Sequence, residues 1–246
     1  MLLQTKLAIA VGLTFLLAAC GGGGGKAGTA DTPLPPAATA ASFPIQTALV
    51  YAFSNNLPKT LNVTGTATSG GNSLPISGSL TLGTGTTTST TFNNAPALQV
   101  TQTLAGSLSI NGQQVPLSSN NYVLFNASYA ELGSLNDGSY CVVTSGGTFP
   151  ATLSAGQSGN ISTFSCYTDS SKTVANGSVT ESYVARAGSA ANTLDFQLTD
   201  IVYDATGKPA STQSTTYNIT SAGVPSVSQF AVQYTENGIG ITITGQ

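Results

Sequence analysis

The chain has no histidine and no tryptophan, a single methionine, three cysteines, and only 6 basic and 9 acidic side chains in 246 residues. Without histidine, Ser-His-Asp and Cys-His catalytic arrangements cannot be built, and the commonest metal ligand is missing. With so little positive charge and no basic cluster, the chain has nothing to neutralise a phosphate backbone, and nucleic-acid binding is not expected. Charged residues make up 6% of the whole, against about 25% in ordinary soluble domains. Between Phe43 and Ala130 the one charged side chain is Lys59. Solubility must therefore come from Ser, Thr, Asn and Gln, and a threonine-rich composition suits half-buried pleated strands.

Two motifs that would supply chemistry are also absent. Gly156-Gln157-Ser158-Gly159-Asn160 fails the last glycine of a nucleophile elbow. The Gly21–Gly25 run meets no Lys-Ser or Lys-Thr pair at a helix start, so it is not a phosphate loop. Sequence thus assigns no catalytic residue, no cofactor and no metal, and a non-enzyme is the expectation.

The N-terminus carries the clearest signal. Lys6 supplies a positive charge, Leu7 to Ala19 is apolar, and the stretch ends Leu17-Ala18-Ala19-Cys20. A helix spanning a bilayer needs about 20 apolar residues, so this shorter run reads as a signal peptide over 1–19. Small residues directly before Cys20 resemble the bacterial lipobox. That resemblance implies diacylglycerol transfer to the Cys20 thiol, cleavage before it, and acylation of the new amine. Two acyl chains already anchor a protein stably, each buried methylene contributing about 0.8 kcal/mol. Gly21, where inner-membrane lipoproteins of this type carry Asp, implies the outer membrane, on its periplasmic face by default. The membrane, reached through acyl chains on Cys20, is the one partner the sequence names.

Residues 20–42, with Pro33, Pro35 and Pro36 among repeated Ala and Thr, cannot build a core and read as a tether that holds the domain about 25 Å from the bilayer. Residues 43–246 form the domain. Ile45, Ala48, Leu49, Ala52 and Phe53 fall on one helical face, between Pro44 and Pro58. From Thr60 the period becomes two. Leu61, Val63, Gly65 and Ala67 alternate with polar residues, as do Leu74, Ile76, Gly78, Leu80 and Leu82 after the turn at Ser69–Asn72. Leu98, Val100, Leu104, Gly106, Leu108 and Ile110 continue the pattern, interrupted by Gln102, and Asn111-Gly112 is a strong hairpin signal. Further strands are expected over Ile161–Tyr167, Val174–Ala185, Leu194–Tyr203, Ser211–Thr220, Ser226–Tyr234 and Ile239–Thr244, with turns at Asn136-Asp137-Gly138, Asp204–Gly207 and Asn237-Gly238. Short connections exclude parallel pairing. The expected fold is all-β, one short helix followed by an antiparallel meander of about eleven strands, shaped as a curved sheet, half-barrel or sandwich.

Gly147-Thr148-Phe149-Pro150-Ala151-Thr152-Leu153-Ser154-Ala155-Gly156-Gln157-Ser158-Gly159 and Tyr167-Thr168-Asp169-Ser170-Ser171-Lys172, with the Cys-Gly run at the start, resemble a group of uncharacterised beta-proteobacterial lipoproteins over most of 43–246. The resemblance implies the helix and the meander and carries no activity.

Once Cys20 is acylated, Cys141 and Cys166 remain, and in an oxidising periplasm they are expected to pair. Asp195, Asp200 and Asp204 lie close in sequence, with Glu181 and Arg186 on the preceding strand. Asp200 shares parity with Leu194, Phe196, Leu198 and Val202 and should point inward, where Arg186 or a hydroxyl would have to partner it. The simplest reading of the group is an ion pair at a strand end and an Asp-initiated turn at Asp204.

Two functions fit. One is a non-catalytic envelope lipoprotein whose curved sheet binds a lipid, an apolar ligand or an envelope protein. The other is a structural or surface-adhesive module with a filled core. A cavity of several hundred Å³ distinguishes the first from the second. A transmembrane barrel is opposed by the lipobox motif, the missing tryptophan and the sparse aromatic residues.

Overall fold

The computed structural model describes residues 41–136, 138–236 and 238–246. The signal peptide, Cys20, the tether to residue 40, Asp137 and Asn237 lie outside the described residues.

Helix α1 (Ile45–Asn55) follows Pro44 and ends at Asn56, whose left-handed conformation (φ 37°) turns the chain away. Its buried face is Ile45, Ala48, Ala52 and Phe53, the stripe expected from the apolar spacing. A two-residue strand, β1 (Phe43–Pro44), pairs with β9 (Thr152–Leu153) beside it.

The strands of the large sheet are β2 (Lys59–Ser69), β3 (Asn72–Thr84), β4 (Thr88–Phe92), β5 (Ala95–Ile110), β6 (Gln113–Phe125), β7 (Glu131–Asn136), β8 (Ser139–Gly146), β10 (Ser158–Tyr167), β11 (Ala175–Ala187), β12 (Thr193–Tyr203), β13 (Pro209–Thr220), β14 (Pro225–Glu236) and β15 (Ile239–Gly245). All their pairings are antiparallel, so the meander is as expected, with 13 strands in the large sheet where about eleven were expected. Asn111 and Gly112 both have positive φ, 49° and 81°, as a two-residue hairpin loop between β5 and β6 requires.

The sheet also closes. The 16-residue β5 pairs with β4 over Ala95–Gln99 and with β3 over Gln102–Ile110, on the same edge. Because β3 also pairs with β2, and β2 with β15, the strand order returns to its start. Of the 13 strands in the sheet, only β4 stands outside the resulting ring. The molecule is a closed antiparallel barrel, the form that abolishes sheet edges. Gly78 and Gly106 sit at the closing seam. A Cβ on Gly78 would meet the Ser107 carbonyl oxygen at 2.2 Å, and one on Gly106 would meet that of Ser79 at 2.2 Å. Glycine at both positions lets β3 and β5 approach where the wall bends.

Leu61, Val63, Leu80, Leu104, Leu108, Ile241 and Ile243 fill one part of the interior. Ile45, Phe53, Phe125, Leu194, Phe196 and Leu198 fill another, beneath α1. Asn62, Thr64, Thr66, Ser77, Ser79, Thr242 and Thr244 alternate with the core residues and lie exposed outside. An outer wall of hydroxyls around an apolar interior is the reverse of a lipid-facing barrel.

Candidate functional site

Alternation along a strand fixes which side chains enter the barrel, and polar residues enter it at one level. Gln102 lies between Val100 and Leu104 on β5, Ser119 and Asn121 between Leu117 and Val123 on β6, and Asp200 between Leu198 and Val202 on β12. Glu181 follows Val179 on β11 and precedes Tyr183 and Ala185; Ser162 lies between Ile161 and Phe164 on β10. On each strand, residues on the α1 side belong to one apolar cluster and those beyond to another. The barrel therefore has a polar waist.

Three carboxyl groups sit in it. Glu181 stands opposite Asp200 in the β11–β12 register and opposite Ser162 in the β10–β11 register. Glu131, at the start of β7, pairs with Phe125 and points inward. Relative exposures are 3% for Glu131, 1% for Glu181 and 1% for Asp200. The Ser162 hydroxyl donates to Glu131 Oε2. Neither Glu181 oxygen has a donor, and Glu131 Oε1, Asp200 Oδ1 and Asn121 Oδ1 also lack one. Asn121 Nδ2 donates to Gln102 Oε1 at 3.1 Å.

An isolated ionised carboxylate in such a place is costly, so burial strengthens each group's hold on its proton. Burial pushes Glu181 well above the usual carboxylate range, and the charges of Glu131 and Asp200 add to the rise. Asp200 is raised well above it too, by burial first and then by Glu131. Glu131 is raised by burial, which outweighs the bonds it receives from Glu181 and Ser162. A proton on Glu181 converts that acceptor into a donor toward Glu131. The Tyr217 phenol is pushed up to about 12 by burial and by the nearby Glu181 charge.

Beneath α1 the waist borders a void of about 10 Å³, room for one water-sized particle. Its walls include Leu49 and Phe53 of the helix, Phe125, Phe149, Tyr217 and Glu131. Phe149 reaches it because the chain turns sharply at Gly146 and Gly147 (φ 76° and 96°), where a Cβ would meet the carbonyl oxygens of Ile161 at 1.9 Å and Glu131 at 2.8 Å. The helix is tied to this segment by Gln46 Nε2 donating to the Phe149 carbonyl (2.9 Å) and the Ile45 amide donating to that of Ala151 (3.0 Å).

The carboxylates grouped by sequence therefore separate. Asp200 points inward as its parity requires, and Glu181 joins it. Arg186 does not partner Asp200: it lies five residues from Glu181 and so faces outward, where Nη1 donates to Gln197 Oε1 at 2.7 Å. Asp195, opposite Arg186 in the register, accepts from Asn218 Nδ2 at 2.7 Å, so the strand-end ion pair is replaced by neutral partners. Asp204 does initiate a turn, accepting from the Thr206 amide and hydroxyl and the Lys208 amide. Glu131 and Ser162 were not singled out by sequence. Each lies beside a bulge, at Leu132 and Ile161, which breaks the alternation used to infer facing.

Cys141 of β8 and Cys166 of β10 stand directly opposite and are disulfide-bonded, with a Cα–Cα distance of 4.0 Å. Among the described residues, no group of three or more His, Cys, Asp or Glu is suited to hold a metal ion.

No family model and no curated protein matches the chain. The crystal structure of a DUF1329 family protein from Desulfovibrio piger is similar at 10% identity, over 83% of this chain and 92% of that one, with a TM-score of 0.31. A likeness of that degree carries no argument about function.

Proposed function

We propose that this chain is a lipid-anchored cell-envelope protein with a non-catalytic role, a rigid barrel held off the outer membrane on its tether and acting through its outer surface on another envelope component. The observation that carries this reading is the filled, closed interior. Among the described residues, large side chains such as Leu61, Leu80, Leu104, Leu108, Phe125, Phe196 and Phe230 pack the interior, and the void beneath α1 is about 10 Å³, far below the several hundred that a lipid or other apolar ligand needs. Closure of β3 on β5 leaves the sheet without the open groove that a half-barrel carrier would use. These features favour the structural or surface-adhesive function over the apolar-ligand carrier. The anchoring at Cys20 and the outer-membrane location rest on the lipobox-like sequence and on Gly21.

The exposed hydroxyls of β2, β3 and β15 suit contact with a polar, uncharged surface, because they offer donors and acceptors without net charge. Native mass spectrometry of the protein purified from envelopes tests the reading. The expected result is the mass of the acylated polypeptide alone. A lipid-sized molecule retained at one per chain would overturn it in favour of a carrier.

A further inference from the structure

When its acids are ionised, the waist of the barrel has more acceptors than donors. Glu131 Oε1, both oxygens of Glu181, Asp200 Oδ1 and Asn121 Oδ1 have none. The elements packed around them bring no cation. From β5, β6, β10 and β13 the facing groups are Gln102, Asn121, Ser162, Gln213 and the Tyr217 phenol; α1 contains no charged residue, and Arg186 of β11 faces away. Glu131 borders the void beneath α1, and four of the other lining side chains are aromatic: Phe53, Phe125, Phe149 and Tyr217. The Phe53 and Phe125 rings lie 4.9 Å apart, centre to centre.

Aromatic faces beside a carboxylate recognise organic cations, through the ring quadrupole and the opposite charge together. They offer few lone pairs, which disfavours ions that demand an oxygen shell. An ammonium group brings several donors and no acceptor, which is what the ionised waist lacks. The void has room for a particle the size of water or of an ammonium group.

We propose that the void beneath α1 is a binding site for an ammonium group, either the free ion or the NH3+ end of a small alkylamine, with Glu131 as its counter-charge. Binding ionises one carboxyl of the waist and releases that proton to solvent, so the charge of the interior is unchanged. Affinity therefore rises with pH, by up to tenfold per unit, until the carboxyl ionises without ligand. The site does not depend on the anchor or on the outer surface, so its failure leaves the proposed function standing.

The experiment is thermal unfolding of the mature chain at neutral pH in ammonium, methylammonium, tetramethylammonium or sodium chloride at equal ionic strength. Ammonium should raise the melting temperature above its value in sodium, because a ligand that binds only the folded state stabilises it. A rise with ammonium alone identifies the free ion, and an equal or larger rise with methylammonium identifies an alkylamine. Tetramethylammonium should behave as sodium does. In Glu131→Gln the gain should vanish. Equal melting in ammonium and sodium, or an undiminished gain in Glu131→Gln, overturns the proposal. If that variant does not fold, a ring-current-shifted resonance of 15N-ammonium bound to the wild-type chain decides in its place, and its absence contradicts the site.

Discussion

Glu181 faces Asp200 across neighbouring strands inside the barrel, two acids in direct register with no cation between them. Replacing such a pair by neutral isosteres should cost little, since no ionic attraction is lost. Reducing the volume of their apolar neighbours should cost far more.

The inward register of the strands is tested by substitutions on either side of the wall. Leu80→Ala or Leu108→Ala removes a fully buried side chain and should destabilise by about 2–5 kcal/mol in urea melts. Thr64→Ala, on the outer face, should stay within about 0.5 kcal/mol. Equal effects on the two sets would mean that both faces are buried.

The Cys141–Cys166 bond closes a separation of 25 residues. By the loop-entropy relation, its loss should cost about 3.5 kcal/mol. Protein taken from the envelope should resist alkylation at both cysteines until it is reduced. Two reactive thiols without reduction would contradict the pairing.

The seam at Gly78 should tolerate no side chain, because a Cβ there would strike the Ser107 carbonyl. Gly78→Val should loosen the β3–β5 pairing and raise hydrogen exchange over Leu104–Ile110 above that of β12. Unchanged exchange at the seam would show that barrel closure does not depend on this approach.

Cys20→Ala should leave the chain without acyl groups. Incorporation of labelled palmitate into wild type but not the variant is the expected result, and labelling of both would refute the lipobox reading.

Much of this architecture was legible because its determinants are local. Ile45, Ala48, Ala52 and Phe53 mark the helix by spacing, and Leu61, Val63 and Ala67 mark β2 by alternation. Asp200 was legible as an inward residue for the same reason. Closure was not, because β3 meets β5 across β4, and no turn residue records a pairing made over an intervening strand. Glu131 escaped for a different reason: the bulge at Leu132 breaks the alternation from which its facing would be read. Arg186 was a candidate partner by proximity in sequence, whereas five residues of strand place it opposite in facing to Glu181.

The central claim, a closed barrel whose interior raises the proton affinity of three acids, is tested most directly by stability against pH in sodium buffers free of amines. A carboxyl whose folded value is raised binds more protons folded than unfolded. Its stabilising effect is complete below the ordinary values of 3.8 and 4.5 and is lost as pH rises through the raised values of Glu131, Glu181 and Asp200. Each unit of separation costs about 1.4 kcal/mol at high pH. Urea melts should therefore show wild type more stable at about pH 4.5 than at about pH 7.5, and Glu181→Gln combined with Asp200→Asn should shrink that difference. A wild-type stability that instead rises between those two pH values would contradict the account, since it would mean that the buried carboxylates are ionised and paired in the folded protein.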